Sequence, residues 1–491
     1  MAEARRSRRG PLGWATELIA AALLVLMAVS LSTIALDGRP LSAVDEPTHF
    51  DNVIQLQHDT YPHRGSLYTQ RTVNEWACGV GHEVGPLGKE CGDPKLGPEL
   101  LPMTKYTTGY IHYPTYFVAL MAGTKVVHAV DPKVPLIGAL RLSSTVILLA
   151  GVVACWLLAT SLGMGGARKL AVTFAPVAAP GILTYGPMVN PGSAATLCGA
   201  LVALGGFAWM RSRRWFWGYL AAALLASCVA ATASLTVGVF AIVSGVTWIA
   251  GLLGVRTMRD WQVRWWHLLL QAVVFLGPVL VWEQVISARA TVPDSVVYAV
   301  VAVASTTALI SGALAELTTL HSPWTDVGAL GETDGDLLGT YVRALGYGLP
   351  SLITVLVFGT LALAALGAFG RVRRHLADTP APDAPAPDAP ADAPAPDGAR
   401  ARLARHWPTW LTGDRLVVVA LLFVVFVFPP ALRLSNAANF GLDYAIVPRY
   451  LISLAPIAVL LAVRQVRGSG VPRVLALISM TTIVGVCLTA W

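Results

Sequence analysis

Charge is scarce in this chain. Asp, Glu, Lys and Arg make up only 13% of its 491 residues, while 55% are hydrophobic. A soluble domain is about one quarter charged, so an ordinary soluble enzyme is excluded. The chain also lacks a P-loop, a Gly-x-Gly-x-x-Gly and a His-Glu-x-x-His. Neither ATP-driven transport nor zincin-type proteolysis therefore has a motif to stand on. No inverted repeat, of the kind that marks many transporters, is evident. Cysteine is sparse as well, with six in all. Cys155, Cys198, Cys228 and Cys487 fall in apolar runs and read as small hydrophobes. Cys78 and Cys91 share one polar loop. A disulfide between them fits if that loop lies outside the cytoplasm, and their spacing is too wide for a CxxC-type zinc pair.

What is present is a series of apolar runs near the roughly 20 residues a membrane helix needs. They lie at about 15–36, 113–130, 137–162, 170–189, 192–210, 215–234, 235–254, 267–287, 296–318, 350–370, 415–432, 448–464 and 473–490. The chain is thus an all-α polytopic membrane protein. The first run is too long for a signal-peptide core and reads as an uncleaved first helix. The formal charge of +7 comes from short basic clusters between runs. These are Arg5 to Arg9, Arg168-Lys169, Arg211 to Arg214, Arg256 to Arg264, Arg371 to Arg374 and Arg464 to Arg473. Placing all of them in the cytoplasm puts 37–112 outside and leaves no crossing for 113–130 or 296–318. About eleven spans result, in the cell membrane, with a cytoplasmic N-terminus and an extracytoplasmic C-terminus.

The segment 377–399 is a Pro/Ala/Asp repeat that cannot bury a core. With its Arg-rich flanks it reads as a cytoplasmic linker over 371–412. It separates an N-terminal membrane block, 1–370, from three C-terminal spans in 413–491.

Ionisable residues near the runs gather at the outer level: Asp45, Glu46, Arg141, Glu283 and Arg449, with Lys125 in the non-crossing segment. Intramembrane charge is costly and often functional, though each residue alone also fits interfacial snorkelling. "AVDEPTHFDN", 43–52, predicts a helix start, with Pro47 near its first position and Asp45 or Glu46 as cap. Asp45 and His49 then share a face. A carboxylate here could act as general base. Asp45, Glu46 and His49 could instead hold a hard divalent ion such as Mg or Mn. His58, His63 and His82 match no metal spacing.

"VDEPTHF" (44–50), "HYPTYF" (112–117), "LTYGPMVNPGSAATL" (183–197) and "VPRYLISLAPIAVLL" (447–461) occur in the order of four motifs of a known family. The chain resembles bacterial integral membrane proteins of unknown function related to the GT-C glycosyltransferases. It departs from them at Gly192, where an Asp is usual, at "TASLTV" (232–237), which lacks a Lys, and at Pro448, where a Gly is usual. The resemblance implies a GT-C-like helix bundle with a large first extracytoplasmic loop. It also implies inverting transfer of a sugar from a polyprenyl-phosphate carrier to an envelope glycan or lipid acceptor at the outer face. Asp45 matches the catalytic base, with Glu46 as its partner. His49, His112, Tyr113, Arg141, Asn190, Glu283, Arg449 and Tyr450 are the expected substrate-binding residues, Arg449 meeting the lipid phosphate. The alternatives are a flippase for a lipid-linked glycan and a non-catalytic envelope assembly protein. They differ in what they need: the first requires a hydrophilic path, the second no base. A topology reporter fused after residue 132 is expected to read extracytoplasmic; a cytoplasmic signal would overturn this arrangement.

Overall fold

The computed structural model describes residues 11–42, 45–79, 91, 93, 95–101, 104–229, 265–297, 303, 305–325, 348–367, 413–443 and 445–489. Linker 371–412 and the run 235–254 lie outside these residues. The described chain is helical, with a single isolated β-bridge between Leu67 and Tyr106.

Seven described helices are long and apolar enough to cross a membrane: Trp14–Leu36, Leu136–Ser161, Pro191–Trp209, Leu269–Ala288, Gly348–Gly367, Val417–Ala438 and Gly470–Leu488. Three further runs that read as spans form shorter or broken helices. The run 170–189 breaks into Gly166–Phe174, a 3-10 turn and Pro180–Tyr185, with Pro176 and Pro180 at the breaks. A proline lacks the N–H that would continue the ladder. The run 448–464 opens as a 3-10 helix, Pro448–Leu454, before Ala455–Gln465. The third, Phe216–Val229, is a 14-residue helix.

We label the helices used below α1 (Pro11–Leu36), α2 (Glu46–Gln57), α3 (Gln70–Cys78), α4 (Pro114–Val130), α5 (Leu136–Ser161), α6 (Gly166–Phe174), α7 (Pro180–Tyr185), α8 (Ala195–Arg211), α9 (Phe216–Val229), α10 (Trp265–Ala288), α11 (Thr306–Thr318), α12 (Gly348–Gly367), α13 (Gly413–Phe440), α14 (Ala455–Gln465) and α15 (Gly470–Thr489). α5 is central: it packs on α1, α4, α6 and α8. The helices after the linker do not stand apart. α15 packs on α1 and α6, α14 packs on α6 and α8, and all of them share one core with the N-terminal helices.

Lipid tails give no hydrophobic drive for one helix to leave them for another, so close backbone approach at small residues does that work. A Cβ at Gly151 would stand 3.0 Å from the Leu197 nitrogen, and one at Gly199 would overlap the Ser453 carbonyl oxygen. These two glycines seat α8 between α5 and the 448–454 segment.

The loop before α4 carries a small core of its own, around Tyr68, Val73, Ala77, Leu96 and Leu101. A disulfide joins Cys78 to Cys91 at its edge. The two ends of the bundle differ in kind. At one end Lys169 pairs with Glu17 at 2.6 Å and lies over the Trp156 ring. There Arg168 also donates to the Val466 and Arg467 carbonyls. Arg141, fifteen residues before Trp156 on α5, marks the other end, about 22 Å away by helical rise.

Gly199→Ala improves intrinsic helix propensity by about 1 kcal/mol, yet its methyl group has no room. The expected result is a net loss of about 1–3 kcal/mol, seen as a lower melting midpoint in detergent.

Candidate functional site

The site is built on one buried carboxylate. Glu46 is 0% exposed, and four donors meet it. Arg141 grips it through two nitrogens, Nε to Oε1 at 2.9 Å and Nη2 to Oε2 at 2.8 Å. The Val189 amide donates to Oε1 at 2.9 Å, and the Ser42 amide to Oε2 at 2.7 Å. Arg141 uses two of its other hydrogens on the carbonyls of Arg39 and Pro40, at 3.1 and 3.0 Å. One ion pair thus joins residues 39–42 of the loop after α1, the start of α2, the head of α5 and the turn before α8.

Asp45 stands beside this anchor and does the opposite. Its backbone is left-handed (φ 62°), and its side chain caps nothing. Such a conformation is uncommon for a residue other than glycine, though Asp and Asn tolerate it best; where it occurs, it clusters at functional sites. The twist sends the Asp45 carboxylate outward, 46% exposed, while Glu46 points in. There Asp45 meets Arg449 at 2.5 Å. Arg449 lies 5.9 Å from the Tyr450 ring in cation–π geometry. Residues 404 positions apart in sequence therefore form one exposed ion pair.

Below the pair lie two imidazoles. His49 and His112 meet edge to face, with centroids 4.6 Å apart, and Phe117 closes the stack. Burial holds the His112 pKa down to about 4; Asp45 opposes that shift and Arg449 adds to it. His112 as a residue is half-buried, whereas His49 is 2% exposed. Burial likewise depresses His49, helped by His112 and Arg449. Both rings are neutral at pH 7, and the His49 Nδ1 has no hydrogen-bond partner.

Around these groups α2 is tied down at every turn. Asp51 accepts from the Thr69 amide and hydroxyl and from the Thr72 hydroxyl, at 2.7–2.8 Å. Burial nonetheless raises the Asp51 pKa above the usual carboxylate value. Thr48 shares a hydrogen bond with Tyr68 at 2.7 Å, and Asn52 donates to the Gly109 carbonyl. Tyr61 donates to the His112 carbonyl at 2.8 Å. Tyr113 leans on Trp282 at 5.2 Å, and Tyr61 meets the same indole edge to face at 5.8 Å. The Tyr113 hydroxyl is buried without a partner, and burial pushes its pKa up.

The sequence candidates therefore divide. Asp45, Glu46, His49, His112, Arg141, Arg449 and Tyr450 come together. Tyr113 borders the group, and Glu283, exposed on α10, acts on the Tyr113 hydroxyl through its charge. Asn190 caps the turn into α8 by accepting from the Gly192 amide at 2.8 Å. Its carbonyl accepts from Tyr116, which is fully buried and offers no ring face. Lys125 lies exposed on α4, and His63 bonds Ser66 away from the site. His82 lies outside the described residues.

Glu46 does not fit a metal ligand, because both its oxygens are taken by N–H donors. Among the described residues no group of three or more His, Cys, Asp or Glu could hold a metal. Three charges escaped sequence reading. Arg433 lies within α13, because the helix continues past Pro429 and Pro430. Glu316 and Asp443 meet it. An Arg placed three residues after a double proline in an apolar run was the available signal.

No protein-family profile matches the chain, and no curated protein matches its sequence. Among solved structures it is similar to ArnT from Cupriavidus metallidurans bound to undecaprenyl phosphate. The TM-score is 0.36, with 16% identity over 96% of this chain and 78% of that one. The same protein in its apo state gives a TM-score of 0.34 and 15% identity, covering 95% and 77%.

Two outcomes are expected. Glu46→Ala leaves Arg141 buried and unpaired, which costs about 3–5 kcal/mol of stability, read as a collapse of the melting midpoint. The histidines give a pH dependence. Their folded-state pKa values lie below the unfolded 6.5, so the unfolded chain binds protons first. Stability is expected to fall as pH drops from about 6.5 towards 4, and replacing His112 with Phe should flatten that slope.

Proposed function

We propose that this protein transfers a sugar from a polyprenyl-phosphate carrier to an acceptor at the outer membrane face, with inversion. The observation that carries this reading is the exposed Asp45–Arg449 pair, held over a buried anchor at one end of the bundle. A lipid-phosphate donor already has its leaving group activated. The protein must supply orientation, a base and a cation for the departing phosphate, and these two residues are of those types.

The pair also supports an order of events. While Arg449 touches Asp45, the ion pair occupies the carboxylate. A phosphate takes the guanidinium through two oxygens. Asp45 is then free to accept the proton of the acceptor hydroxyl as that oxygen attacks the anomeric carbon. The phosphate leaves with the bonding electrons and stays on Arg449. His49 and His112, being neutral, add no charge that would compete for the phosphate.

A flippase is the second reading. A polar path through the bundle would favour it, and the charges in the described spans lie towards their ends.

Asp45→Asn tests the proposal cleanly. Asn tolerates the left-handed backbone, and an exposed ion pair is worth at most about 1 kcal/mol, so the variant is expected to fold as the parent does. Transfer from a labelled polyprenyl-phosphate sugar should drop by about 100-fold or more. Unchanged turnover in folded protein would remove Asp45 as the base.

A further inference from the structure

A second cluster of buried charge lies in the part of the bundle that leads to Arg449, and the proposed reaction does not use it. Glu316, near the end of α11, is 5% exposed. It accepts from the Ile446 amide at 3.0 Å and from Arg433 Nη1 at 3.4 Å, and it pairs with His321 Nε2. Arg433 turns its Nε to Asp443 at 2.6 Å. Asp443 and Ile446 belong to the segment 441–447, which leaves α13 and runs into the 3-10 helix Pro448–Leu454. Arg449 is three residues beyond Ile446. The start of the same segment is fastened too, since the Val303 amide donates to the Gly441 carbonyl at 3.0 Å.

The helix face opposite Arg433 is shaped for it. Gly312 lies one turn before Glu316 on α11, and a Cβ there would overlap the Arg433 guanidinium. Buried ion pairs are poor sources of stability, because desolvation cancels most of the attraction; fixing a register is their best-attested use. Two anions converge on one arginine here, and the segment they hold carries the cation of the site.

We propose that Glu316 and Arg433 are positioning residues for Arg449. Through Asp443 and the Ile446 amide they hold 441–447 in one path, and so set where the Arg449 guanidinium stands against Asp45 and against a phosphate. The second half of this statement rests on the reading of Arg449 as the phosphate-binding cation. Three residues of released chain can span about 10 Å, more than enough to break a 2.5 Å contact.

The test uses the full chain in nanodiscs, with undecaprenyl phosphate as the probe, and two readouts. One is the binding isotherm. The other is hydrogen exchange of the 441–450 peptides without lipid. Gly312→Ala displaces Arg433 while favouring the helix, and Glu316→Ala removes the acceptor. Both are expected to weaken binding by about tenfold and to speed exchange at 441–450. Glu316→Gln still accepts from the Ile446 amide and is expected to bind within about threefold of the parent. If Arg449→Ala loses binding while Gly312→Ala and Glu316→Ala keep parental binding and exchange, the positioning role is overturned and the phosphate reading stands. If the parent chain binds no polyprenyl phosphate, the phosphate reading fails. Exchange then decides alone: faster exchange in both variants upholds the hold on 441–447, and unchanged exchange ends it.

Discussion

Everything at the candidate site depends on the Glu46–Arg141 ion pair. A carboxylate with 0% exposure is tolerable only if its lone pairs are filled. Here an arginine fork and two backbone amides fill them. Arginine suits the task better than lysine would. Its planar group grips both oxygens and still reaches two carbonyls of the loop. The result is a cross-link among four chain segments that are distant in sequence. The neighbouring Asp45 inherits a fixed backbone and, through its left-handed turn, an outward side chain.

Adjacent carboxylates thus have separate tasks because their surroundings differ. Glu46 is a structural ion inside protein, while Asp45 is a half-exposed ion paired with Arg449. The neutral His49–His112 pair beneath them fits this division. Burial keeps both rings uncharged, so they add no charge beside Asp45 and Arg449. At the far end of α5 the Glu17–Lys169 pair and the Arg168 contacts to 466–467 hold the other rim. Charge therefore sits at two levels, with apolar packing and glycine contacts between them.

Much of the helical layout was readable from hydropathy, since a backbone in lipid must satisfy itself and only long apolar helices do so simply. Proline acted differently from run to run. At 170–189 prolines divide a uniform run, but within α13 two prolines leave the helix continuous. Neighbouring helices settle which happens, and no single window of sequence contains them. Glu316 illustrates the same limit. Its run reads as an outer-face segment with one acidic residue, and only packing against α13 brings Arg433 and Asp443 to it.

Sequence by itself determined that this is a helical membrane protein, and it singled out Asp45, Glu46, Lys125, Arg141, Glu283 and Arg449 as charges out of place in an apolar chain. It did so because each buried or interfacial charge has a cost that composition exposes. Tertiary structure alone decided the pairing: Glu46 with Arg141 inside, Asp45 with Arg449 outside. Identical charges attract every opposite partner, so a choice between partners requires distance and burial, and these exist only once the chain has folded.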